Sequence, residues 1–320
     1  MILDLALILL GLAVLLVGGD LLVRGAVGLA TGLKVPPLLV SLTIIAFGTS
    51  APELVVSVTS VLEHQRGIAL GNIIGSNIAN VFLVLGLPAL IYPISAHVPG
   101  LRRHAVAMLL ATAAFAAIAY AVGSLERMTG AALFAGVIFY VIFLAVMARR
   151  TDGRDPIIDE VGEYAEGART NLGAAALYVM AGLIGLPVGA HLLVGSGSSI
   201  AAALGVRAEI IGLTVVAFGT SLPELATVAA AAFHKKSDVA IGNVVGSNIF
   251  NIFAVGGAAG LAGSAPFTGA SLRLDIPAMI AAAAALSFFI FTRRDIGRIE
   301  GAVFVLAYAG FIAALASQAL

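Results

Sequence analysis

The sequence predicts an all-α integral membrane protein of ten transmembrane helices, arranged as two inverted five-helix repeats. Three observations carry this. Hydrophobic residues are 61% of the 320 and charged residues only 11%, against roughly 25% charged in a soluble domain, so the chain lacks the polar surface to cover itself in water. Short polar breaks divide it into ten apolar runs near the length of about 20 residues that a bilayer core requires. Finally, the chain repeats itself. LTIIAFGTSAPEL at 42–54 returns as LTVVAFGTSLPEL at 213–225, ten of thirteen positions identical. The same offset of 171 carries GNIIGSNIAN at 71–80 onto GNVVGSNIFN at 242–251, and GGDLLV at 18–23 onto GAHLLV at 189–194.

The elements follow in order. The first run, 3–30, begins at Asp4 with no basic segment before it and stays apolar past Val17, so it reads as a membrane helix rather than a cleaved signal peptide. The second, 36–62, carries the first GTSAPE motif, and the third, 67–94, carries GNIIGSNIAN. The fourth and fifth, 104–122 and 128–148, follow Arg103 and Arg127. An acidic connection at 149–170 (Asp152, Asp155, Asp159, Glu160, Glu163, Glu166) separates the halves 1–148 and 171–320. The second half then gives 171–203, 209–233, 239–263, 273–292 and 299–318. Five helices per half is an odd number, so the second copy must sit upside down relative to the first. That is a plan of many secondary transporters, whose sites lie near the midplane where the repeats meet.

Basic residues orient the chain. With the N-terminus outside, thirteen Lys and Arg fall on the cytoplasmic side and four (Arg66, Arg127, Arg207, Arg273) on the other, together the seventeen present. This is a positive-inside bias, placing both termini outside a cell membrane and the 149–170 loop in the cytoplasm. A net charge of zero with few aromatics excludes nucleic acid as a partner. The absence of cysteine excludes disulfides and thiolate metal sites.

The chemistry sits in the repeats. Glu53 is the only charged residue between Val35 and Leu62, and Glu224 the only one between Ile210 and Phe233. A charge at the bilayer centre costs at least about 2.5 kcal/mol, so two such acids mark a function. On a helix, Ser50, Thr49 and Ala46 share the face of Glu53, as Ser221, Thr220 and Ala217 share that of Glu224. Pro52 and Pro223 have no N–H for the carbonyls of Gly48 and Gly219. Each segment should therefore kink and free backbone carbonyls, which is tolerated only inside protein or along a cavity. Facing them, Asn72, Ser76 and Asn80 lie at i, i+4 and i+8, mirrored by Asn243, Ser247 and Asn251. The acids favour Ser76, Asn80, Ser247 and Asn251 as ligands. For Asn72, Asn77, Asn243 and Asn248, interhelical hydrogen bonding is an equal reading, as is close packing for the GxxxG glycines Gly71/Gly75 and Gly242/Gly246. An all-oxygen shell suits Ca²⁺, which takes about 6–8 oxygens, better than Mg²⁺. It also suits Na⁺, and competition for shared acids would give exchange.

At these residues the chain resembles the sodium/calcium exchanger family, over essentially its whole length. The resemblance implies a monomeric Na⁺/Ca²⁺ antiporter without cofactors, working by alternating access as helices 1 and 6 slide against the other eight. It further implies a Ca²⁺ site of the Glu53 and Glu224 carboxylates with the Thr49 and Thr220 backbone oxygens. Sodium sites would add the Ala46 and Ala217 carbonyls, the Ser50 and Ser221 hydroxyls, Ser76 and Ser247, with Asn80 and Asn251 flanking the centre. Family members often carry Asp at one or both of the last two positions. Two Asn here leave the Na⁺:Ca²⁺ stoichiometry open and argue against potassium cotransport. A H⁺-coupled or other cation antiporter on the same fold is the alternative. A passive channel fits inverted repeats less well, and a membrane hydrolase lacks an oriented base–nucleophile pair. Asp20 and its counterpart His191 break the symmetry; an ion pair of Asp20 with Arg24 is one reading, a gating role for helix 1 the other.

Overall fold

The computed structural model describes residues 2–33, 40–150, 172–203, 217–269 and 271–318. The first half comprises α1 (Ile2–Leu33), α2 (Ser41–Thr49), α3 (Ala51–Leu62), α4 (Arg66–Ile91), α5 (Leu101–Val122) and α6 (Arg127–Arg150). The second comprises α7 (Leu172–Ala203), α8 (Ala217–Thr220), α9 (Leu222–Phe233), α10 (Ser237–Ala262), α11 (Ser271–Thr292) and α12 (Arg298–Gln318). Among the described residues eight helices are long and apolar enough to cross a bilayer, or nine if the bent pair α2–α3 is counted as one span. The seventh predicted span, 209–233, starts outside the described residues, and α8 with α9 is its described part. The predicted connection 149–170 lies outside them too, apart from Arg149 and Arg150 at the end of α6.

Two boundaries are corrected, and a small strand pair joins the helices. The third span ends at Ile91, not 94, because the chain leaves the helix at Tyr92 with extended dihedrals. The fourth begins at Leu101, not 104, because Gly100 takes a left-handed φ of 80° and turns the chain into the helix three residues early. The fold is not wholly α: β1 (Ser124–Leu125) pairs antiparallel with β2 (Ala265–Pro266).

Packing has three layers. At the centre lie α10 and α4, whose most apolar windows are 94% and 78% buried, against 11% for α12 at the periphery. These two cross-pack the broken helices of the opposite half: α10 lies against α2, and α4 against α9. Exposed apolar side chains such as Leu3, Leu9, Met128, Phe139 and Ile299 face the region where lipid would lie.

The longest helices, α1 and α7, pack more extensively against each other than against any other element. A Cβ added at Gly25 would come 2.7 Å from the Val179 nitrogen, one at Gly182 within 2.6 Å of Leu22, and one at Gly189 within 2.9 Å of the Gly11 carbonyl. As the number falls on α1 it rises on α7, so the two run antiparallel. Small residues at seven-residue spacing allow the backbones to approach this closely, the packing that replaces hydrophobic drive inside lipid.

Candidate functional site

Each GTSxPE segment breaks its helix where the proline dictates. The α2–α3 pair bends by 46° at Ser50, whose ψ of 4° leaves the helical range. The backbone is bridged across the bend by the Ser50 N–H to the Ala46 carbonyl (3.1 Å) and the Leu54 N–H to the Ser50 carbonyl (3.2 Å). Pro52 provides no N–H for Gly48. The second copy repeats the break: Ser221 has ψ of 2°, and the Leu225 N–H reaches the Ser221 carbonyl at 3.0 Å. In both copies the acid falls in the first turn after the break, Glu53 on α3 and Glu224 on α9.

The GNxxGSNxxN segments form the middle of α4 and α10. At Asn80 and again at Asn251 the backbone widens into a π-helical stretch, Asn80–Leu85 and Asn251–Gly256. Wide turns of this kind recur at functional sites. Three more occur among the described residues, at Ser41–Ile45, Ile118–Val122 and Ser271–Asp275, so it is their matched place in the two copies that marks these two. Hydrophobic periodicity does not reveal them, and the sequence reading missed both.

These four segments meet at the centre of the molecule. Glu53, Glu224, Asn80, Asn251, Ser247 and Ala46 have no exposed surface, and Thr49, Ser50, Ser221, Ser76 and Thr220 are buried. Ala217 is placed at the start of α8. The halves interlock through matching contacts: Thr49 Oγ1 donates to Asn243 Oδ1 (3.4 Å) and Thr220 Oγ1 to Asn72 Oδ1 (3.3 Å). Ser50 Oγ donates to Glu224 Oε1 at 3.3 Å, carrying a hydroxyl of the first half to the acid of the second. Asn72 Nδ2 also holds the Glu53 carbonyl (3.1 Å) and Ser57 Oγ (2.9 Å). Asn80 Nδ2 donates to Asn248 Oδ1 (3.1 Å), and Asn248 Nδ2 to the Asn77 carbonyl (3.3 Å).

Interhelical hydrogen bonding thus describes Asn72, Asn243 and Asn248, which act as the frame around the predicted ligands, whereas the Asn77 amide donates along its own helix to the Ile73 carbonyl (2.7 Å) and its Oδ1 is buried without a partner. Ser57 was not foreseen. Its repeat counterpart is Val228, so no doubled signal marked it. The GxxxG reading holds at Gly246, where a Cβ would sit 2.7 Å from that of Ala46. At Gly71 and Gly75 an added Cβ meets nothing within 4 Å. The Ala46 carbonyl already accepts the Ser50 N–H, and the single Thr49 hydroxyl hydrogen can go either to it or to Asn243 Oδ1, both at 3.4 Å.

The polar atoms left over are mostly oxygens, with two amide donors, Asn243 Nδ2 and Asn251 Nδ2, among them. Both oxygens of Glu53, Oε2 of Glu224, Oδ1 of Asn80 and Asn251, and the hydroxyls of Ser221 and Ser247 are buried with no hydrogen-bond partner. Ser50, three residues before Glu53, reaches the Glu224 carboxylate, so both acids border one site. Buried polar groups are ordinarily satisfied, and an unpaired buried carboxylate is costly. Such a cluster of acceptors is complementary to a desolvated cation. Among the described residues no three His, Cys, Asp or Glu side chains gather at one point. A cation here would rest on two carboxylates and neutral oxygens, a donor set for a hard ion.

A family model described as "Sodium/calcium exchanger protein" matches residues 3–148 and 174–316. The "Putative antiporter CaxA" of Alkalimonas amylolytica is 34% identical, the match covering 95% of this chain and 96% of that one. "Sodium/calcium exchanger MaX1" of Methanosarcina acetivorans is 33% identical, with 96% and 97% covered. Among solved structures, the sodium-calcium exchanger NCX_Mj soaked with Na⁺ and Ca²⁺ superposes with a TM-score of 0.84 at 32% identity, covering 98% of this chain and 99% of that one.

Proposed function

This chain belongs to the sodium/calcium exchanger family of multi-pass membrane antiporters, and from that premise we propose that it exchanges Na⁺ for Ca²⁺ by alternating access. The observation that carries the reading is the set of unpartnered buried oxygens around Glu53 and Glu224. In this reading the chain is ten helices in two inverted halves, with both termini outside and the 149–170 loop in the cytoplasm. The antiparallel packing of α1 and α7 supports the inversion.

Two carboxylates neutralise one Ca²⁺, and the Thr49 and Thr220 backbone oxygens beside the helix breaks complete its inner set. Na⁺ ions take the same acids, with Ser50, Ser221, Ser76, Ser247 and the Ala46 and Ala217 carbonyls sharing the load. Asn80 and Asn251 contribute neutral oxygens where an acid would add charge. Ca²⁺ and Na⁺ then compete because neither can leave the acids bare in a buried site: releasing one requires binding the other. The α1–α7 pair slides across the remaining helices and opens the site to one side at a time.

The test is Ca²⁺ uptake by reconstituted protein carrying Glu53→Gln or Glu224→Gln. The amide keeps the shape and removes the charge. Uptake at background level in both, with protein that still purifies as a folded species, is the expected result. Robust uptake in both would overturn the reading.

A further inference from the structure

Asp20 is the one acid in the middle of α1, and the transport site does not use it. Its Oδ2 accepts from Arg24 at 2.8 Å along the helix, the expected pair. Its Oδ1 meets His234 Nε2 at 2.5 Å, across to the end of α9. With Nε2 protonated the ring donates whether neutral or cationic. The contact ties α1, half of the sliding pair, to the fixed part of the molecule. Beside it the backbones close in: a Cβ at Gly19 would lie 2.8 Å from the Ala226 carbonyl.

The 171-residue offset turns this contact into a pair of contacts. Asp20 maps onto His191 of α7, and His234 maps onto Glu63 of α3. An acid on the slider and a histidine on the rim become a histidine on the slider and an acid on the rim. Sequence register alone would be weak, but the backbone agrees. Glu63 and His234 are both helix C-caps, with φ, ψ of −84°, 9° and −79°, 6°. The next residues, His64 and Lys235, both take left-handed φ (63° and 56°). The turn closes the same way, Gln65 N–H to the Ser60 carbonyl and Lys236 N–H to the Ala231 carbonyl. Glu63 and His234 therefore occupy one structural position at opposite ends of the molecule.

The two sites differ in state. Asp20 and His234 are joined and about one-third exposed. Glu63 and His191 are exposed, and among the described residues their side chains have no hydrogen bond or ion pair. α1 packs along α9, whereas α7 and α3 share no comparable packing among the described residues.

We propose that Asp20–His234 and Glu63–His191 are two charge-swapped latches that close in alternation, the first holding α1 on α9 when the cytoplasmic side is shut and the second holding α7 on α3 when the outer side is shut. The four are positioning residues for transport, and the assignment rests on the alternating-access reading above. A rigid antiparallel pair that slides one way makes one contact as it breaks the other. Because His234 sits at a helix C-terminus, where a cation is favoured, and Glu63 at one where an anion is not, the latches are unequal and the first is the stronger.

The chain has no cysteine of its own, so introduced pairs report cleanly. Glu63→Cys/His191→Cys protein, in liposomes, is treated with a short homobifunctional methanethiosulfonate reagent. Both positions are exposed, so folding is not at risk. The expected result is a cross-link that stops Ca²⁺ uptake and is reversed by reductant. Adding His234→Gln, or separately Asp20→Asn, should raise the cross-linking rate about two- to fivefold, the population shift that loss of a partly exposed ion pair brings. No cross-link in protein whose uptake is intact, full uptake after cross-linking, or a rate unmoved by both His234→Gln and Asp20→Asn would overturn the latch. The cross-link reports helix approach whichever cation travels. A pair that cross-links and responds in protein lacking Na⁺-driven uptake would support the latch while refuting the ion assignment.

Discussion

At the scale of single residues, the molecule is organised around buried oxygens without partners. Glu53 leaves both oxygens unpaired, and Glu224 leaves one, the other taking Ser50. A ligand present at 100 times its Kd stabilises a folded protein by about 2.7 kcal/mol. Saturating Ca²⁺ should therefore raise the melting temperature of the wild-type protein, and Glu53→Gln should abolish that rise. Removing one of two repelling charges should also make the Ca²⁺-free variant at least as stable as wild type. Thermal unfolding with and without Ca²⁺ checks both. Asn72 and Asn243 orient the site through Thr220 and Thr49. Outer-layer groups of this kind typically change metal affinity by about 10–100-fold, so Asn243→Ala should weaken apparent Ca²⁺ affinity on that scale with maximal rate retained, as a Ca²⁺ titration of uptake would read. The acids were legible in sequence because a lone carboxylate in an apolar stretch, occurring twice, has few meanings. The partners of the framing asparagines were not. Asn72 meets Thr220 across 148 positions and Thr49 meets Asn243 across 194, and no local spacing encodes such pairs.

At the scale of elements, the prolines do what their chemistry requires. Pro52 predicted a break in the second span, and the bend of 46° falls at Ser50. Restoring the missing N–H with Pro52→Ala should let α2 and α3 approach one straight helix. That would move Glu53 off the site, and Ca²⁺ uptake should fall steeply while the protein stays folded; uptake at the wild-type rate would show that the break is dispensable. Close packing sets a second constraint. Gly246→Ala would place a methyl 2.7 Å from the Ala46 Cβ, and overpacking of this kind costs about 1–3 kcal/mol, which a lowered melting temperature would register. The π-helical stretches after Asn80 and Asn251 were illegible because one wide turn barely disturbs the apolar pattern. The early start of α5 was hidden for a related reason: Arg102 and Arg103 read as a polar break, while Gly100 had already turned the chain into the helix.

At the scale of the whole molecule, duplication was the strongest signal. Two halves of five helices each, as the sequence predicts, would demand inversion, and the antiparallel seam of α1 on α7 fits that demand. The residues that break the repeat are as informative as those that keep it, as Asp20 opposite His191 demonstrates. The contact of Asp20 with His234 lay beyond the sequence because it joins helices far apart in the chain. The central claim is coupled exchange at one buried site. It is tested most directly by loading proteoliposomes with Na⁺, diluting them into Na⁺-free buffer, and following radioactive Ca²⁺ uptake beside vesicles given only a pH gradient. Uptake driven by the Na⁺ gradient alone is the predicted result. Uptake that ignores Na⁺ and follows the pH gradient would contradict it, leaving the fold and both glutamates in place with a proton as the coupling ion.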